Sequence, residues 1–263
     1  MSTLLLRLAG PLQSWGVQSR FSHRDTGLEP SKSGVVGLLA AALGRGRDEP
    51  LEDLAALTMG VRVEREGRLL RDFHTAGGTH KQGEQYGVAI ADGSKPRVVT
   101  SQRYYLTDAD FLVGLESDDE DFLCRLDAAL ARPVWPLFLG RKACVPGRPI
   151  RLSYRPSDLP GPAAVPGVVR LPLRQALETY PYLTRTAREF QRLQQELTAG
   201  PPMRLRLVLE VPIGSSNEVR PDQPLSFRIL AREYTVRYIR TDYLTLAVHQ
   251  LQEESHVSVT SVP

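Results

Sequence analysis

The chain has 263 residues, of which 41% are hydrophobic and 24% are charged. This length and apolar content suit one large domain or two small ones with a buried core, and the composition excludes disordered, collagen-like and coiled-coil proteins. The longest apolar stretch is interrupted by Gly37 and is too short to span a bilayer, and no signal-peptide pattern opens the sequence. Cys124 and Cys144 match neither a disulfide framework nor a zinc pattern. We therefore expect a soluble, cytoplasmic protein with no membrane partner.

The basic residues are unusual in type and in position. Of 33 basic side chains, 29 are arginine, whose planar fork suits phosphate and nucleobases, although a GC-rich genome would give the same bias. Residues 132–195 contain 11 basic and 3 acidic side chains, and the rest of the chain contains 22 basic and 27 acidic ones. A basic segment on a nearly neutral protein indicates a surface that faces a polyanion.

Hydrophobic periodicity predicts the elements of the first half in chain order. With their approximate ranges, these are a buried strand (Thr3–Ala9), a buried helix (Ser31–Leu43), a short helix (Leu51–Leu57), a hairpin turned at Glu66-Gly67 (Val61–Arg65 with Leu69–Thr75), a strand (Arg103–Leu115), a helix that ends at Ala131 (117–131) and a last strand (Trp135–Val145).

Residues 76–102 interrupt this pattern, because they include five glycines and no sustained apolar period. An excursion of this length inside a compact domain is usually functional or disordered. The element order β-α-β-β-(excursion)-β-α-β predicts an α+β fold, namely a ferredoxin-like (RRM-like) palm in which residues 76–102 form an inserted β-hairpin thumb.

A change in composition predicts a domain boundary near residue 147, because seven prolines lie between Pro146 and Pro172. The predicted domains are residues 1–146, the palm with its thumb, and residues 147–263, a smaller C-terminal α/β unit. In the second unit we expect a helical stretch over 173–198, broken near Tyr180-Pro181, and strands at 204–211, 225–230 and 233–240.

Two patterns could carry catalysis or anion binding. Ser31-Lys32-Ser33 opens a helix but lacks the glycines of a phosphate loop, so it is either an anion site or a plain capped helix. The histidines lack the spacing of a zinc site, and we expect no metal and no cofactor. His80-Lys81, or His74 with Tyr104, could supply acid–base ribonuclease chemistry, and they could equally be solvated side chains.

A third pattern favours nucleic-acid binding. Residues 138–142 place Phe138, Gly140, Arg141 and Lys142 within one short segment, and Arg103-Tyr104-Tyr105 repeats the combination of aromatic and basic groups. Such groups let bases stack while phosphates are neutralised. The alternative is an edge strand with ordinary exposed charges.

Five motifs in order resemble a known family. They are Gly10-Pro11-Leu12-Gln13-Ser14-Trp15-Gly16, Pro30-Ser31-Lys32-Ser33-Gly34 leading into Gly37-Leu38-Leu39, Arg71-Asp72-Phe73-His74-Thr75, Arg103-Tyr104-Tyr105-Leu106-Thr107-Asp108-Ala109 and Phe138-Leu139-Gly140-Arg141-Lys142-Ala143-Cys144. Together they resemble the type I-E branch of CRISPR-associated protein family five, in the RAMP superfamily. The resemblance covers residues 3–145.

The resemblance implies a non-catalytic, RNA-binding subunit of the Cascade antiviral ribonucleoprotein. Such a subunit binds and caps the 5′ handle of the CRISPR RNA, contacts the large subunit CasA and the backbone subunit CasC, and meets target DNA only through the complex. Trp15 is equally well placed in the core. By motif, the implied RNA-binding positions are Gln13, Trp15, Ser31, Lys32, Ser33, His74, Arg103, Phe138, Arg141 and Lys142.

The rival hypothesis is a metal-independent endoribonuclease that processes precursor CRISPR RNA, as type I-C relatives do. Those relatives resemble this chain in the palm and use a Tyr, Lys and His set, which His80-Lys81 partly echoes. The type I-E motifs favour the non-catalytic role, because a separate subunit cuts the RNA in that branch.

Overall fold

The structure is a computed structural model that describes residues 1–19, 22–79, 85–89, 97–152 and 167–253. Its helices are α1 (Lys32–Leu43), α2 (Glu52–Ala55), α3 (Glu120–Ala131), α4 (Leu173–Thr179) and α5 (Ala187–Ala199), with a 3-10 turn at Val248–Gln250. Its strands are β1 (Ser2–Ala9), β2 (Leu12–Gln13), β3 (His23–Arg24), β4 (Thr58–Arg65), β5 (Arg68–Ala76), β6 (Gly78–Thr79), β7 (Gln85–Tyr86), β8 (Val99–Thr107), β9 (Asp110–Ser117), β10 (Val168–Val169), β11 (Tyr182–Thr184), β12 (Arg204–Val211), β13 (Glu218–Arg228), β14 (Ala231–Thr245) and β15 (Leu251–Glu253).

A seven-stranded sheet organises the chain, in the order β10-β1-β9-β4-β12-β14-β13 with every neighbouring pair antiparallel. Helices α1 and α3 pack on one face, where they bury alternate residues such as Leu4 and Leu6. Helix α4 packs on the other face, over Leu5 and Leu112. All eight residues of β1 are buried, because both faces are covered. This explains the continuous apolar run and confirms the predicted first strand.

The prediction that two strands pair as a hairpin turned at Glu66-Gly67 is wrong. Both strands exist, but they do not pair with each other. Strand β4 pairs with β9 and β12, whereas β5 pairs with β8 in a second sheet. The chain leaves the main sheet at Gly67, whose φ of 75° is left-handed, and returns near Asp108, whose φ is 55°. The β4–β9 pair therefore continues into the β5–β8 pair as one long antiparallel ribbon.

The β5–β8 ribbon forms an arm that begins at residue 68, before the 76–102 excursion for which the sequence predicts a thumb. The role of the arm as a thumb stays a prediction. Its register runs without a break from Arg68 opposite Thr107 to Ala76 opposite Val99. Beyond that pair, β6 pairs with β7. Residues 80–84 and 90–96, which include His80 and Lys81, lie outside the described residues.

The last palm strand predicted at Trp135–Val145 is wrong. That segment is irregular: Leu139 N–H donates to the Cys144 carbonyl, and Gly140 adopts a left-handed φ of 93°. Two prolines at 133 and 136 also remove the backbone donors that a strand would need. The sheet position beside β1 is taken instead by the short strand β10.

The C-terminal strands continue the main sheet. Strand β12 pairs with β4 over four residues, and β14 and β13 follow it to the sheet edge. The predicted break near Tyr180-Pro181 is confirmed, because it separates α4 from α5. Hydrogen bonds therefore cross the boundary expected near residue 147, and the division into two folding units stays a prediction. Within the described ranges, none of the helices has the length and apolarity that a membrane crossing needs.

Shortening the arm tests whether it is independent of the core. Replacing residues 77–98 by Asn-Gly joins Ala76 to Val99, which already face each other, through a favoured two-residue turn. We expect the free energy of unfolding to change by less than about 1 kcal/mol, a shift of less than about 4 °C in Tm. The matched control is Leu106→Ala at the buried base of the arm, which should cost about 2–5 kcal/mol. A collapse of the shortened variant in thermal melts would contradict this expectation.

Candidate nucleic-acid interface

The N-terminus of helix α1 is hydrogen-bonded to other groups of the protein. Ser31 is the N-cap, and its hydroxyl accepts from the Gly34 N–H at 3.2 Å. The Lys32 N–H donates to Asp222 Oδ2 at 2.8 Å. A carboxylate of the protein therefore occupies the place where the sequence suggested an external anion, because helix N-termini favour negative charge.

The Lys32 side chain belongs to a group of four charges, in which Lys32, Asp222 and Arg237 are buried and Glu210 is partly buried. Its ammonium lies 2.8 Å from Glu210 Oε1, and Arg237 Nε lies 2.7 Å from Asp222 Oδ1. Arg237 also approaches Glu210 at 3.7 Å, so two cations balance two carboxylates. Burial lowers the pKa of Lys32, and the adjoining Glu210 opposes that effect. Lys32 therefore anchors α1 to β12, β13 and β14.

Gln13 and Trp15 are both buried and support the loop that follows β1. The Gln13 amide donates to the carbonyls of Leu8 and Ala109 at 3.0 and 2.9 Å. Its oxygen accepts from the Trp15 indole N–H at 3.0 Å. The Trp15 ring packs so closely on Gly34 that a Cβ there would lie 2.9 Å from it. Trp15 therefore belongs to the core, with its edge at the groove described below.

Arg141 fastens three segments together. Its guanidinium donates to the carbonyls of Tyr104, Arg24 and Asp25 at 2.8, 2.8 and 2.9 Å. It also lies over the Tyr105 ring, 4.8 Å from the centroid, where a cation–π contact is favourable. Most of its donors are therefore used within the protein.

Gly140 allows the 138–144 loop to press against the loop after β1. The Ser14 N–H donates to the Leu139 carbonyl at 3.0 Å. A Cβ on Gly140 would lie 1.8 Å from the Ser14 carbonyl oxygen, and the residue has a φ of 93°. Only glycine fits this contact without moving one of the two loops.

These loops, α1 and the β13–β14 hairpin enclose a groove made of two adjoining depressions of about 720 and 260 Å³. They share four residues: Ser33, Gly34, Gly140 and Tyr234. The described residues that line the larger depression are aromatic, basic, aliphatic or small, and none of them is acidic. Its other lining residues are Gly37, Leu38, Ala40, Ala41, Arg45, Gly46, Arg47, Trp135, Pro136, Phe138, Lys142, Phe227 and Arg232.

The lining combines flat apolar faces with exposed positive charge. Arg47, Lys142 and Arg232 are exposed, whereas Arg45 is held by Asp53 at 2.6 and 2.5 Å. Cations beside aromatic rings can pair with phosphates while bases stack on the rings. Among the described residues, no group of three His, Cys, Asp or Glu side chains is placed to hold a metal. The groove is therefore suited to a single-stranded nucleic acid.

The ten predicted RNA-binding residues fall into three groups: residues that line the groove, residues buried behind it and residues on the arm. Ser33, Phe138 and Lys142 line the larger depression, and Trp15, Ser31 and Arg141 line the smaller one together with Ser33. Gln13 and Lys32 are buried behind the groove. His74 and Arg103 lie on the arm.

The arm residues have local polar partners. His74 Nδ1 lies 3.5 Å from Asp72 Oδ2, and Arg103 Nε donates to Ser101 Oγ at 3.1 Å. Asp72 faces Arg103 across the two strands, and His74 faces Ser101. Neither His74 nor Arg103 lines the groove. The predicted RNA-binding residues therefore lie on two separate surfaces, the groove and the arm.

Sequence reasoning missed the residues contributed by the C-terminal hairpin. Phe227, Arg232 and Tyr234 line the groove, and the Phe227 and Tyr234 rings lie 6.4 Å apart. Strand alternation places Arg232 and Tyr234 on one face of β14, which is a readable signal. No local pattern indicates that this face meets the N-terminal half of α1.

Alanine substitution tests the tight contact at Gly140. The control is Gly214, which also has a left-handed φ but has open space around it. Gly140→Ala should lower the free energy of unfolding by about 2–4 kcal/mol, because left-handed strain adds to steric overlap. Gly214 has a φ of 79° and nothing within 4 Å, so Gly214→Ala should cost only about 1 kcal/mol. Urea denaturation measures both variants. Equal losses would show that the contact between the loops is unimportant.

Three comparisons relate the chain to known proteins. Residues 3–240 match the family model described as CRISPR-associated protein (Cas_Cas5). The chain is 35% identical over 168 residues to the CRISPR system Cascade subunit CasD of Escherichia coli strain K12. The aligned region covers 58% of this chain and 70% of CasD.

Two solved structures are similar over nearly the whole length. One, titled "Crystal structure of Cas protein", is 40% identical with a TM-score of 0.65 and covers 95% of this chain and 97% of its own. The other, a chain of a "CRISPR RNA-guided surveillance complex", is 34% identical with a TM-score of 0.72 and covers 95% and 92%. Because the family match spans most of its residues, this chain belongs to the CRISPR-associated protein (Cas_Cas5) family.

Proposed function

We propose that this chain is a non-catalytic Cascade subunit that binds the 5′ handle of the CRISPR RNA in the groove beside α1. The observation that carries the proposal is the groove lining, which joins aromatic faces to exposed cations and includes no acidic side chain among the residues that the structure describes. The similarity to CasD, a named Cascade subunit, and to a chain of an RNA-guided surveillance complex supports the same assignment.

Within this proposal the groove residues divide into contact and support. Ser33, Phe138 and Lys142 reach the RNA, joined by Arg232 and Tyr234 from the hairpin. The support comes from residues whose polar atoms are already bonded inside the protein, namely Gln13, Trp15, Ser31, Lys32 and Arg141. His74 and Arg103 form a second RNA contact along the arm.

The fold supports a ferredoxin-like palm. Elements β1, α1, β4, β9, α3 and β10 follow one another as β-α-β-β-α-β, and their strands lie in the order β10-β1-β9-β4. This is the alternating arrangement of the ferredoxin-like plan, with the arm as its thumb and with β10 in place of the predicted last strand. The proposed units remain 1–146 and 147–263. They are joined by the β4–β12 pairing and by the β1–β10 pairing, through which a strand of the second unit completes the sheet of the palm.

The proposed partners are the backbone subunit CasC and the large subunit CasA. The arm suits a protein contact, because Leu69 and Phe73 are 60% and 69% exposed there, on a ribbon that projects from the core. Target DNA is met through the assembled complex.

RNA binding in the groove can be measured with handle RNA. Tyr234→Ala should weaken affinity by about 1–3 kcal/mol, whereas Tyr234→Phe keeps the ring and should bind almost normally. Lys142→Ala should reduce the slope of log K against log salt by about 1, because one phosphate contact is lost. Fluorescence anisotropy over a salt series measures both effects. Unchanged affinity in both alanine variants would place the RNA elsewhere.

The non-catalytic assignment predicts that purified protein leaves repeat RNA intact, with or without divalent metal. None of the described residues that line the groove is a histidine that could act as a general base. Denaturing gels after long incubation measure the outcome, with a known processing ribonuclease as the positive control. A specific cut that His74→Ala or His80→Ala abolishes would establish the endoribonuclease alternative instead.

A further inference from the structure

A second cationic depression of about 390 Å³ lies on the face of the main sheet opposite the groove. Its lining, which we call the arginine basin, consists of Arg65, Arg185, Thr186, Arg188, Glu189 and Arg192. The groove is walled by α1, whereas α5 packs on the α4 side of the sheet, through Leu193 against Leu205 of β12. The two sites are therefore separate surfaces.

Part of the basin is held in place by internal bonds. Glu189 pairs with Arg65 and accepts from the Arg185 N–H at 2.7 Å. The Arg185 guanidinium reaches Asp110 Oδ2 at 3.4 Å. Thr186 caps α5 by accepting from the Glu189 N–H. The start of α5 is thus satisfied by the protein itself, and the helix terminus is not the feature that a ligand would use.

The remaining cations face solvent. Arg188 and Arg192 are exposed and lie one turn apart on α5, while Leu193 of the same helix is buried. Arg192 approaches Glu196 only at 3.6 Å, and its side chain is 64% exposed. Glu189, Asp110 and Glu196 lie beside Arg65, Arg185 and Arg192, respectively. The accessible positive charge of the basin is therefore that of Arg188 and Arg192 on the outer face of α5.

We propose that the arginine basin binds the phosphate backbone of a nucleic-acid duplex, as a site distinct from the RNA groove. Arginine forks pair with phosphate oxygens in a planar, bidentate geometry. Among the described residues, the basin lining includes no aromatic side chain, unlike that of the groove, so these residues offer no ring on which unpaired bases could stack. A duplex keeps its bases stacked internally and presents phosphates, which is the chemistry that this surface matches.

The test uses the full chain with its groove saturated by handle RNA, and a short labelled DNA duplex of arbitrary sequence as the probe. Arg188→Glu with Arg192→Glu should weaken duplex binding by about tenfold or more and lower the salt slope by about 2, because two phosphate contacts are lost. Arg192→Glu alone is also measured, and Arg125→Glu on α3 is its matched control, because the two side chains are 64% and 62% exposed and the charge change is equal. The control should change affinity by less than about twofold.

Three results would overturn the proposal: unchanged duplex binding by the double variant, an equal loss in the Arg125→Glu control, or tighter binding of a labelled single strand than of the duplex. Thermal melts confirm folding, and Arg188→Gln with Arg192→Gln provides a milder pair if charge reversal disturbs α5. The handle-binding proposal is judged separately, because Lys142→Ala should weaken RNA binding and leave duplex binding unchanged. If handle RNA does not bind at all, the duplex measurement is made without it.

Discussion

The buried pairing of Lys32 and Arg237 with Glu210 and Asp222 is the constraint on which the groove depends. It joins the first turn of α1 to strands β12, β13 and β14, so that residues far apart in the chain form two walls of one site. Breaking such a group from one side leaves an uncompensated buried charge, which typically costs about 3–5 kcal/mol. The four charges therefore position the aromatic hairpin beside the helix, and none of them lines the groove.

The ribbon formed by β4–β9 and β5–β8 separates the stable part of the chain from the part available for contacts. Its first half is buried in the main sheet, and its second half leaves the sheet at Gly67 and Asp108 with apolar residues exposed. The groove and the arginine basin lie on opposite faces of the sheet and differ in chemistry. Aromatic rings in the groove suit unpaired bases, whereas the described residues of the basin lining include arginines and no rings, which suits a phosphate backbone.

Elements with strong periodicity were predicted almost to the residue. Helix α1 at Lys32–Leu43, predicted over Ser31–Leu43, and strand β12 at Arg204–Val211 match their predicted bounds to within one residue. The failures concern pairing and irregular structure. Two adjacent strands suggested a hairpin, but β4 pairs with β9 and β5 pairs with β8, both of which lie more than 20 residues further along the chain. The 135–145 segment has apolar residues but no strand hydrogen bonds. Local propensity identifies an element, whereas the choice of partner depends on distant residues.

The candidate site, too, was predictable where it depends on short segments and unpredictable where it depends on distant residues. Residue types and spacing were enough to identify aromatic and basic segments at 138–142 and a capped helix at Ser31, because stacking, charge and capping are properties of short segments. The chain alone could not show that Asp222, 190 positions away from Lys32, supplies the anion at that helix, or that Tyr234 completes the groove. These contacts depend on how β12, β14 and β13 extend the sheet beside β4. Long-range packing therefore assigned Lys32 to the interior and left Lys142 exposed at the groove.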